Sequence, residues 1–305
     1  MSMQSEKDFL GLKGVPLAVV EEILNRAADM KRAYSAGEKR AACAGKTVVT
    51  LFYENSTRTR TSFELAAKAL SANTVNIAVA TSSVSKGESL IDNGKTLDAL
   101  RADAVAIRHP AAGAPRLLAR NMAAAVINAG DGMNEHPTQA LLDMFTIREK
   151  FGAFKGLKVL IAGDVKHSRV ARSNIYGLKA AGADVTVCAP ATLMLAGIER
   201  FGVRVAKTLQ EGAAGADVLM ALRLQLERQK SGMFPSIQEY TRFYNINTEI
   251  AGLARPGAIV MHPGPLNRGL EISSSIADSD SSVITRQVSN GVAVRMALLE
   301  RLLGD

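Results

Sequence analysis

Apolar runs rich in β-branched residues alternate with helix-like segments along almost the whole chain. Thr47–Leu51 has the composition of a buried strand, and the apolar positions from Phe63 to Leu70 recur with the period of one helix face. The same pattern predicts further strands at Thr74–Val79, Ala104–Ile107, Ala124–Asn128, Lys158–Ala162, Asp184–Cys188, Asp217–Ala221 and Ala258–Met261. Strands that alternate with helices are typical of βαβ units and parallel sheets.

The spacing of these strands predicts two domains. Four predicted strands precede Pro137 and four follow Gly156, and a helix predicted at Pro137–Glu149 connects the two groups. We therefore expect an α/β fold class with two doubly wound parallel-sheet domains joined by helices. The periodicity of the last segment, Val288–Leu303, predicts a terminal helix that could pack on either domain.

Composition and charge limit the kind of ligand and the cellular location that we expect for this protein. The 305 residues are 47% hydrophobic with no Trp, and the formal charge is +8. No stripe of Lys and Arg alternates with aromatic residues, as a nucleic-acid-binding surface would require, and arginines that cluster in loops suit small anionic ligands equally well. Two distant cysteines, Cys43 and Cys188, indicate reduced thiols. With no signal-peptide pattern and no apolar run of membrane-spanning length, we expect a cytoplasmic protein without a membrane partner.

A cluster of hydroxyls and arginines, Ser56–Arg60, follows the first predicted strand and opens the next helix. Free backbone N–H groups and the positive end of the helix dipole favour an anion at such a position. Arginine and hydroxyl donors suit phosphate oxygens. The alternative is that Ser56 or Thr57 only caps the helix while the arginines are solvated. The stretch lacks the Walker pattern of nucleotide-binding loops.

Other polar side chains follow the later strands. In parallel sheets, ligands bind beyond the carboxyl ends of the strands. The candidates there are the arginines Arg58, Arg60, Arg108, Arg169 and Arg223 and the histidines His109, His136, His167 and His262. Any one of them could be a surface or capping residue. Five arginines at the same ends of successive strands instead predict a cleft that binds more than one anionic group.

His136 is the most suggestive histidine, since it precedes Pro137 at the predicted start of a helix. The helix dipole disfavours an imidazolium there, so a neutral His136 could donate a hydrogen bond to a carbonyl oxygen. A loop histidine that caps backbone is the alternative. No histidines have metal-ligand spacing, so no metal is expected. No nucleophile elbow is present, so a covalent acyl-enzyme is not favoured.

Several motifs resemble those of the carbamoyltransferase family. In the first half they are STRTR at Ser56–Arg60, SKGES at Ser85–Ser89, RHP at Arg108–Pro110 and HPTQALLD at His136–Asp143. In the second half, GDVKHSRVARSN at Gly163–Asn174, RLQLER at Arg223–Arg228 and HPGPLNRG at His262–Gly269 are similar to the aspartate carbamoyltransferases. The His-Cys-Leu-Pro and Ser-Met-Gly segments of the ornithine enzymes are absent. Gly264 stands where some relatives have Leu.

The resemblance implies transfer of a carbamoyl group from carbamoyl phosphate to the α-amine of L-aspartate, an early committed step of pyrimidine biosynthesis. The residues that it implies for catalysis are Arg58, Thr59, Lys86, Arg108 and His136. Those implied for carbamoyl phosphate are Ser56, Thr57, Arg58, Thr59, Ser82, Arg108, His136, Gln139, Pro263 and Gly264. Those implied for aspartate are Lys86, Arg169, Arg223 and Gln225.

The resemblance also implies the larger organisation. Residues 1–136 plus 289–305 would form the carbamoyl-phosphate-binding domain, residues 150–286 the aspartate-binding domain, and residues 137–149 the interdomain helix. The loop that carries Ser82 and Lys86 would enter a neighbouring subunit's active site, which implies a homotrimer with shared sites. No cofactor or metal is implied. Whether a regulatory chain or a dihydroorotase associates stays open.

Two alternative functions compete with this interpretation. One is a carbamoyltransferase for another amine, such as ornithine or putrescine, although Arg223 and Gln225 disfavour a cationic acceptor. The other is a non-catalytic homologue that serves as a scaffold for another enzyme of the pathway. Degenerate motifs would mark such a scaffold, whereas every motif position here carries a suitable donor.

Overall fold

The computed structural model describes residues 7–78, 89–224 and 236–304. Ser82, Lys86 and Gln225 therefore lie outside the described residues. The chain divides into two compact units, residues 1–145 with 288–305 and residues 146–287, called unit 1 and unit 2 below. The division falls within the helix that begins at Pro137, nine residues after the end of the domain that we predicted at 136.

Unit 1 is built on a four-stranded parallel sheet. Its strands are β1 (Thr47–Phe52), β2 (Asn73–Ala78), β3 (Ala104–His109) and β4 (Ala125–Asp131), in the order β2-β1-β3-β4. Its helices are α1 (Leu17–Ser35), α2 (Thr57–Ala69), α3 (Leu90–Ala99) and α4 (Ala114–Ala119). The sheet is covered on both faces, so β1 and β4 are buried along nearly their whole length.

Two long helices join the units. Helix α5 (Pro137–Phe151) leaves unit 1, and α11 (Ile284–Leu303) returns the chain to it. The predicted terminal helix is thus present and begins four residues earlier than its apolar pattern, at Ile284. Its apolar side chains Val292, Met296 and Leu299 are buried. No helix among the described residues has the length and hydrophobicity that a membrane span requires.

Unit 2 contains a five-stranded parallel sheet. Its strands are β5 (Lys158–Ala162), β6 (Asp184–Cys188), β7 (Arg204–Val205), β8 (Val218–Ala221) and β9 (Ile259–Met261), in the order β7-β6-β5-β8-β9. Its helices are α6 (Arg169–Ala180), α7 (Leu209–Ala213), α8 (Ile237–Tyr244), α9 (Thr248–Gly252) and α10 (Ser274–Ala277). One core cluster contains Leu160, Leu219 and Val260 from three adjacent strands.

The predicted fold class is confirmed: both units are α/β and both sheets are parallel. The prediction of four strands in the second half was one short, because β7 is an additional edge strand. With two residues, Arg204 and Val205, it is too short to carry a periodic signal.

Candidate active site

The hydroxyl and arginine cluster lies where the sequence predicted, between β1 and α2. Ser56 is the residue before the first helical turn, and its side chain makes no capping hydrogen bond. Thr57 and Arg58 are exposed, whereas Thr59 is buried. A role for Ser56 in side-chain capping is thus not seen. Its hydroxyl, the first backbone N–H groups of α2 and the Arg58 guanidinium are the types of donor that bind an anion.

Arg108 lies at the end of β3, directly beside this cluster. The parallel register pairs Phe52 of β1 with Arg108 of β3. The Arg108 Nε lies 3.2 Å from the Glu54 Oε2, and both side chains are 13% exposed. Sequence analysis missed Glu54, although an acid two residues after the end of a strand is a detectable signal. Glu54 holds the Arg108 guanidinium at the sheet edge, next to the predicted phosphate site.

His109, by contrast, has a local structural role. Its Nδ1 accepts a hydrogen bond from the Ala111 N–H at 2.9 Å, and its ring packs on Tyr53 with centroids 4.6 Å apart. Burial lowers the pKa of His109, so the ring is neutral at neutral pH. It shapes the turn after Arg108.

The loop before α5 positions His136. His136 is buried, and its carbonyl accepts the Gln139 N–H at 3.0 Å. Two buried acids, which sequence analysis also missed, organise this loop. Asp131 accepts the N–H groups of Gly113 and Glu135 at 2.7 and 3.1 Å. Glu135 in turn accepts the Leu12 N–H at 2.7 Å. These bonds fix the backbone that carries His136.

Gln139 lies just inside α5, one residue after Thr138. Its Nε2 donates to the Asp143 Oδ1 at 3.0 Å, one helical turn further along. Both side chains are buried, Asp143 completely. In unit 1, therefore, all the described residues predicted for carbamoyl phosphate lie at the carboxyl ends of the adjacent strands β1, β3 and β4 or in the segments that follow them.

In unit 2, Arg169 is the first residue of α6 and is buried. The preceding Ser168 caps the helix by accepting the Ala171 N–H at 3.1 Å. His167 pairs with the buried Asp164 through Nδ1, 2.9 Å from Oδ1. Placing a buried guanidinium at the carboxyl end of β5 gives a strong site for a carboxylate, since Arg stays charged when buried.

Arg223 follows β8, the neighbour of β5, and is partly buried. The next residue, Leu224, donates its N–H to the Glu271 Oε1 at 2.9 Å. Glu271 also accepts from the Asn267 N–H and Nδ2 at 2.8 and 2.7 Å. Burial raises the pKa of Glu271, and these hydrogen bonds oppose the rise. Sequence analysis did not single out Glu271, because its partners are 47 and four residues away.

The segment after β9 carries Pro263 and Gly264. The His262 Nδ1 accepts the Gly264 N–H at 2.9 Å, and the His262 N–H donates to the Gln287 Oε1 at 3.0 Å. Gly264 has φ of 64°, a conformation that disfavours most side chains. Because β9 neighbours β8, the structure brings Arg169, Arg223 and Gly264 to the ends of three adjacent strands.

Both units carry polar residues at the carboxyl ends of their parallel strands. Together with the fold, these residues define a class of proteins: paired parallel α/β units that bind small anions at the carboxyl ends of their strands. Comparison with known proteins identifies the family within that class. The family model described as aspartate/ornithine carbamoyltransferase, carbamoyl-P binding domain, matches residues 7–149. The model of the Asp/Orn binding domain matches residues 155–302. The chain belongs to the aspartate/ornithine carbamoyltransferase family.

Individual relatives cover nearly the full length. The aspartate carbamoyltransferase catalytic subunit of Acetivibrio thermocellus is 59% identical over 96% of this chain and 94% of its own. That of Moorella thermoacetica is 59% identical over 98% and 97%. The aspartate transcarbamoylase of Trypanosoma cruzi, solved with carbamoyl phosphate and aspartate, has a TM-score of 0.88 at 31% identity over 98% and 97%. Ornithine carbamoyltransferase from Pyrococcus furiosus has a TM-score of 0.85 at 26% identity over 99% of both chains.

Proposed function

We propose that this chain is an aspartate carbamoyltransferase. It transfers the carbamoyl group of carbamoyl phosphate to the α-amine of L-aspartate and releases N-carbamoyl-L-aspartate and phosphate, an early committed step of pyrimidine biosynthesis. The observation that carries the proposal is the 59% identity to aspartate carbamoyltransferase catalytic subunits over nearly the whole chain. The geometry agrees, because one unit carries a set of donors suited to phosphate and the other carries two arginines in the segments that follow the adjacent strands β5 and β8.

Carbamoyl phosphate binds at the edge of unit 1. Ser56, Thr57, Arg58 and Thr59 hold its phosphate at the start of α2, where backbone N–H groups and the helix dipole add to the attraction. Thr59, Arg108 and His136 donate to the carbamoyl oxygen. Donors placed where negative charge develops contribute about 3 kcal/mol each to transition-state stabilisation.

The amino group of carbamoyl phosphate has its own acceptors. The Gln139 amide oxygen and the backbone carbonyls of Pro263 and Gly264 accept its hydrogens. Because this contact uses the backbone, we expect Gly264 to be acceptable at a position where some relatives have Leu.

Aspartate binds at the edge of unit 2. Arg169, Arg223 and Gln225 hold its two carboxylates, and Arg pairs with such groups through two parallel hydrogen bonds. The α-amine then attacks the carbamoyl carbon, a C–N bond forms, and the bond to the phosphate oxygen breaks. The leaving phosphate takes the proton, so no dedicated base is required. Catalysis rests on positioning and on electrostatic stabilisation.

The proposed domains are residues 1–136 plus 289–305 for carbamoyl phosphate and 150–286 for aspartate, linked by the helix at 137–149. The descriptions of the two matching family models support the order of these functions along the chain. We also propose a homotrimer in which Ser82 and Lys86 complete a neighbouring subunit's site. A cytoplasmic location fits the two buried cysteines, Cys43 and Cys188, neither of which forms a disulfide.

The test is product formation from carbamoyl phosphate with L-aspartate or with L-ornithine. Carbamoyl-aspartate alone supports the proposal and the acceptor roles of Arg169, Arg223 and Gln225. Citrulline alone would keep the carbamoyl-phosphate half and overturn the acceptor assignment. A folded protein that binds carbamoyl phosphate and makes neither product would favour the scaffold alternative.

A further inference from the structure

A buried charged cluster in unit 1 joins the two helices that begin at the predicted carbamoyl-phosphate site, α2 and α5. Its centre is Arg295 of α11, which is 3% exposed. The Arg295 Nη1 donates to the Ser62 Oγ of α2 at 2.9 Å and to the Gly291 carbonyl at 3.0 Å. Its Nη2 lies 3.4 Å from the Thr138 Oγ1 of α5. Arg295 therefore connects α2, which begins at the phosphate cradle, with α5, which follows His136.

Asp143 is the acid that interacts with this guanidinium. Burial lowers the pKa of Arg295 to about 10, and the charge of Asp143 opposes that shift. With a pKa near 10, Arg295 remains positive at neutral pH. A buried cation of this kind favours the ionised form of a neighbouring carboxyl group. An ionised carboxylate accepts hydrogen bonds and donates none.

The consequence falls on Gln139, whose Nε2 lies 3.0 Å from the Asp143 Oδ1. A glutamine amide has a donor end and an acceptor end, and rotation of the amide by half a turn exchanges them. Because a carboxylate can only accept, the NH2 end must face Asp143. The Oε1 end is then directed away from Asp143 and is the end left to accept a hydrogen bond from a ligand.

We propose that Asp143, supported by Arg295, is a positioning residue that fixes the Gln139 amide with its oxygen towards the substrate. Gln139 then accepts a hydrogen bond from the carbamoyl NH2 group and selects substrates that carry one. This inference rests on the proposed function, since it assumes that Gln139 contacts carbamoyl phosphate. The fixed orientation of the Gln139 amide gives a physical reason why the site would prefer a carbamoyl group to an acyl group of the same shape.

Acetyl phosphate is the probe, because it carries a methyl group where carbamoyl phosphate has NH2. The measured quantity is the ratio of the inhibition constant of acetyl phosphate to the KM of carbamoyl phosphate. In Asp143→Leu we expect this ratio to fall by about tenfold or more, since the glutamine amide can turn its NH2 end towards the ligand. The inhibition constant of inorganic phosphate should change by less than about twofold. Asp143→Asn keeps a hydrogen-bond acceptor, so its ratio should lie between those of the wild-type protein and Asp143→Leu.

The matched control is Asp98→Leu in α3. Asp98 accepts the N–H groups of Ala123 and Ala124 at 2.7 and 3.1 Å, so its loss also weakens unit 1. The control should leave the ratio unchanged. An unchanged ratio in Asp143→Leu, or an equal fall in Asp98→Leu, would overturn the positioning role. If the wild-type protein transfers no carbamoyl group to either amine, the proposed function fails, and this inference fails with it.

Two further measurements cover a variant that does not fold. Asp143→Leu combined with Arg295→Met removes both buried charges, and apolar replacement of a buried pair is often tolerated. The double variant should show the same fall in the ratio. Neutron diffraction of the wild-type protein locates the amide hydrogens directly. Hydrogens on the end of Gln139 that points away from Asp143 would overturn the proposal without any substitution.

Discussion

At the scale of single residues, the donors of the cradle differ in what they contact. Thr59 is buried, whereas Arg58 is exposed at the first turn of α2. Arg60 lies two positions later and therefore points to another side of the helix. A bound phosphate would bring the Arg58 guanidinium out of water and into direct contact with its oxygens. We therefore expect Arg58 to contribute more to the free energy of phosphate binding than any other residue of the motif.

Arg58→Ala should lower kcat/KM by about a hundredfold or more, since the transition state loses a charged donor. Arg60→Ala is the matched control, with the same change of charge in the same motif, and should stay near the wild-type value. Steady-state kinetics with carbamoyl phosphate and aspartate measures both. Near-normal activity of Arg58→Ala would show that Arg58 does not bind the phosphate.

Burial also controls the reactivity of the thiols. Cys188 is fully buried in the core of unit 2, and burial raises its pKa to about 11. At pH 8 only about one Cys188 thiol in a thousand would then be ionised, and the thiolate is the reactive form. In Cys43→Ser, the remaining thiol should react with a disulfide reagent only when the protein unfolds. Rapid modification with native circular dichroism would contradict this burial.

The sequence predicted the arginines and hydroxyls of the candidate site but not the buried acids beside them. Arg58, Arg108 and Arg169 are recognisable because each lies at the end of a predicted apolar strand or in the polar segment that follows it. Glu271 is not, because its contact with Leu224 joins residues 47 positions apart. Such pairs depend on how strands and loops assemble in space, and a periodic pattern along one chain carries no information about them.

At the scale of elements, length decided what could be predicted. Strands of five or six residues, such as Lys158–Ala162, were found because an apolar run of that length is distinctive. The two-residue β7 was missed. Helix α7 (Leu209–Ala213) is also short, and its place is fixed by packing: an ideal Cβ on Gly212 would lie 2.7 Å from the Leu160 Cδ1.

Gly212→Ala should therefore destabilise the protein by about 1–3 kcal/mol, because the extra methyl group overpacks a core that is already filled. Gly252→Ala in α9 is the control, since an ideal Cβ at Gly252 meets nothing within 4 Å. That change should be neutral or stabilise by up to about 1 kcal/mol through helix propensity. Denaturant unfolding measures both. Equal effects of the two substitutions would argue against close packing of α7 on β5.

At the scale of the whole molecule, the positive charge of +8 favours the capture of anionic substrates. The proposed trimer distributes the predicted donors over more than one chain. Arg58 belongs to the cradle of one subunit, and Lys86 would come from its neighbour. This arrangement predicts that two inactive variants can complement each other.

Arg58→Ala and Lys86→Ala trimers should each be poorly active. After subunit exchange, mixed trimers should regain activity above either parent, because some sites combine an intact Arg58 with an intact Lys86 from the next subunit. Trimers that carry both substitutions on the same chain, exchanged with themselves, provide the control. Subunit exchange is verified independently, for example by mass spectrometry of tagged subunits. If exchange has occurred and activity does not recover, the sites are not shared.

The return of α11 to unit 1 sets an order on folding during synthesis. Residues 146–287, which form unit 2, leave the ribosome before residues 288–303 do. At that stage the residues of the phosphate cradle in unit 1 have been synthesised, but Arg295 has not yet emerged. Unit 1 therefore lacks the contact between the Arg295 guanidinium and Ser62 of α2. The nascent chain can complete its second unit before its first. A stalled nascent chain of residues 1–287, extended by an unstructured linker long enough to bring residue 287 out of the exit tunnel, should accordingly carry a protease-resistant unit 2 beside an incomplete unit 1.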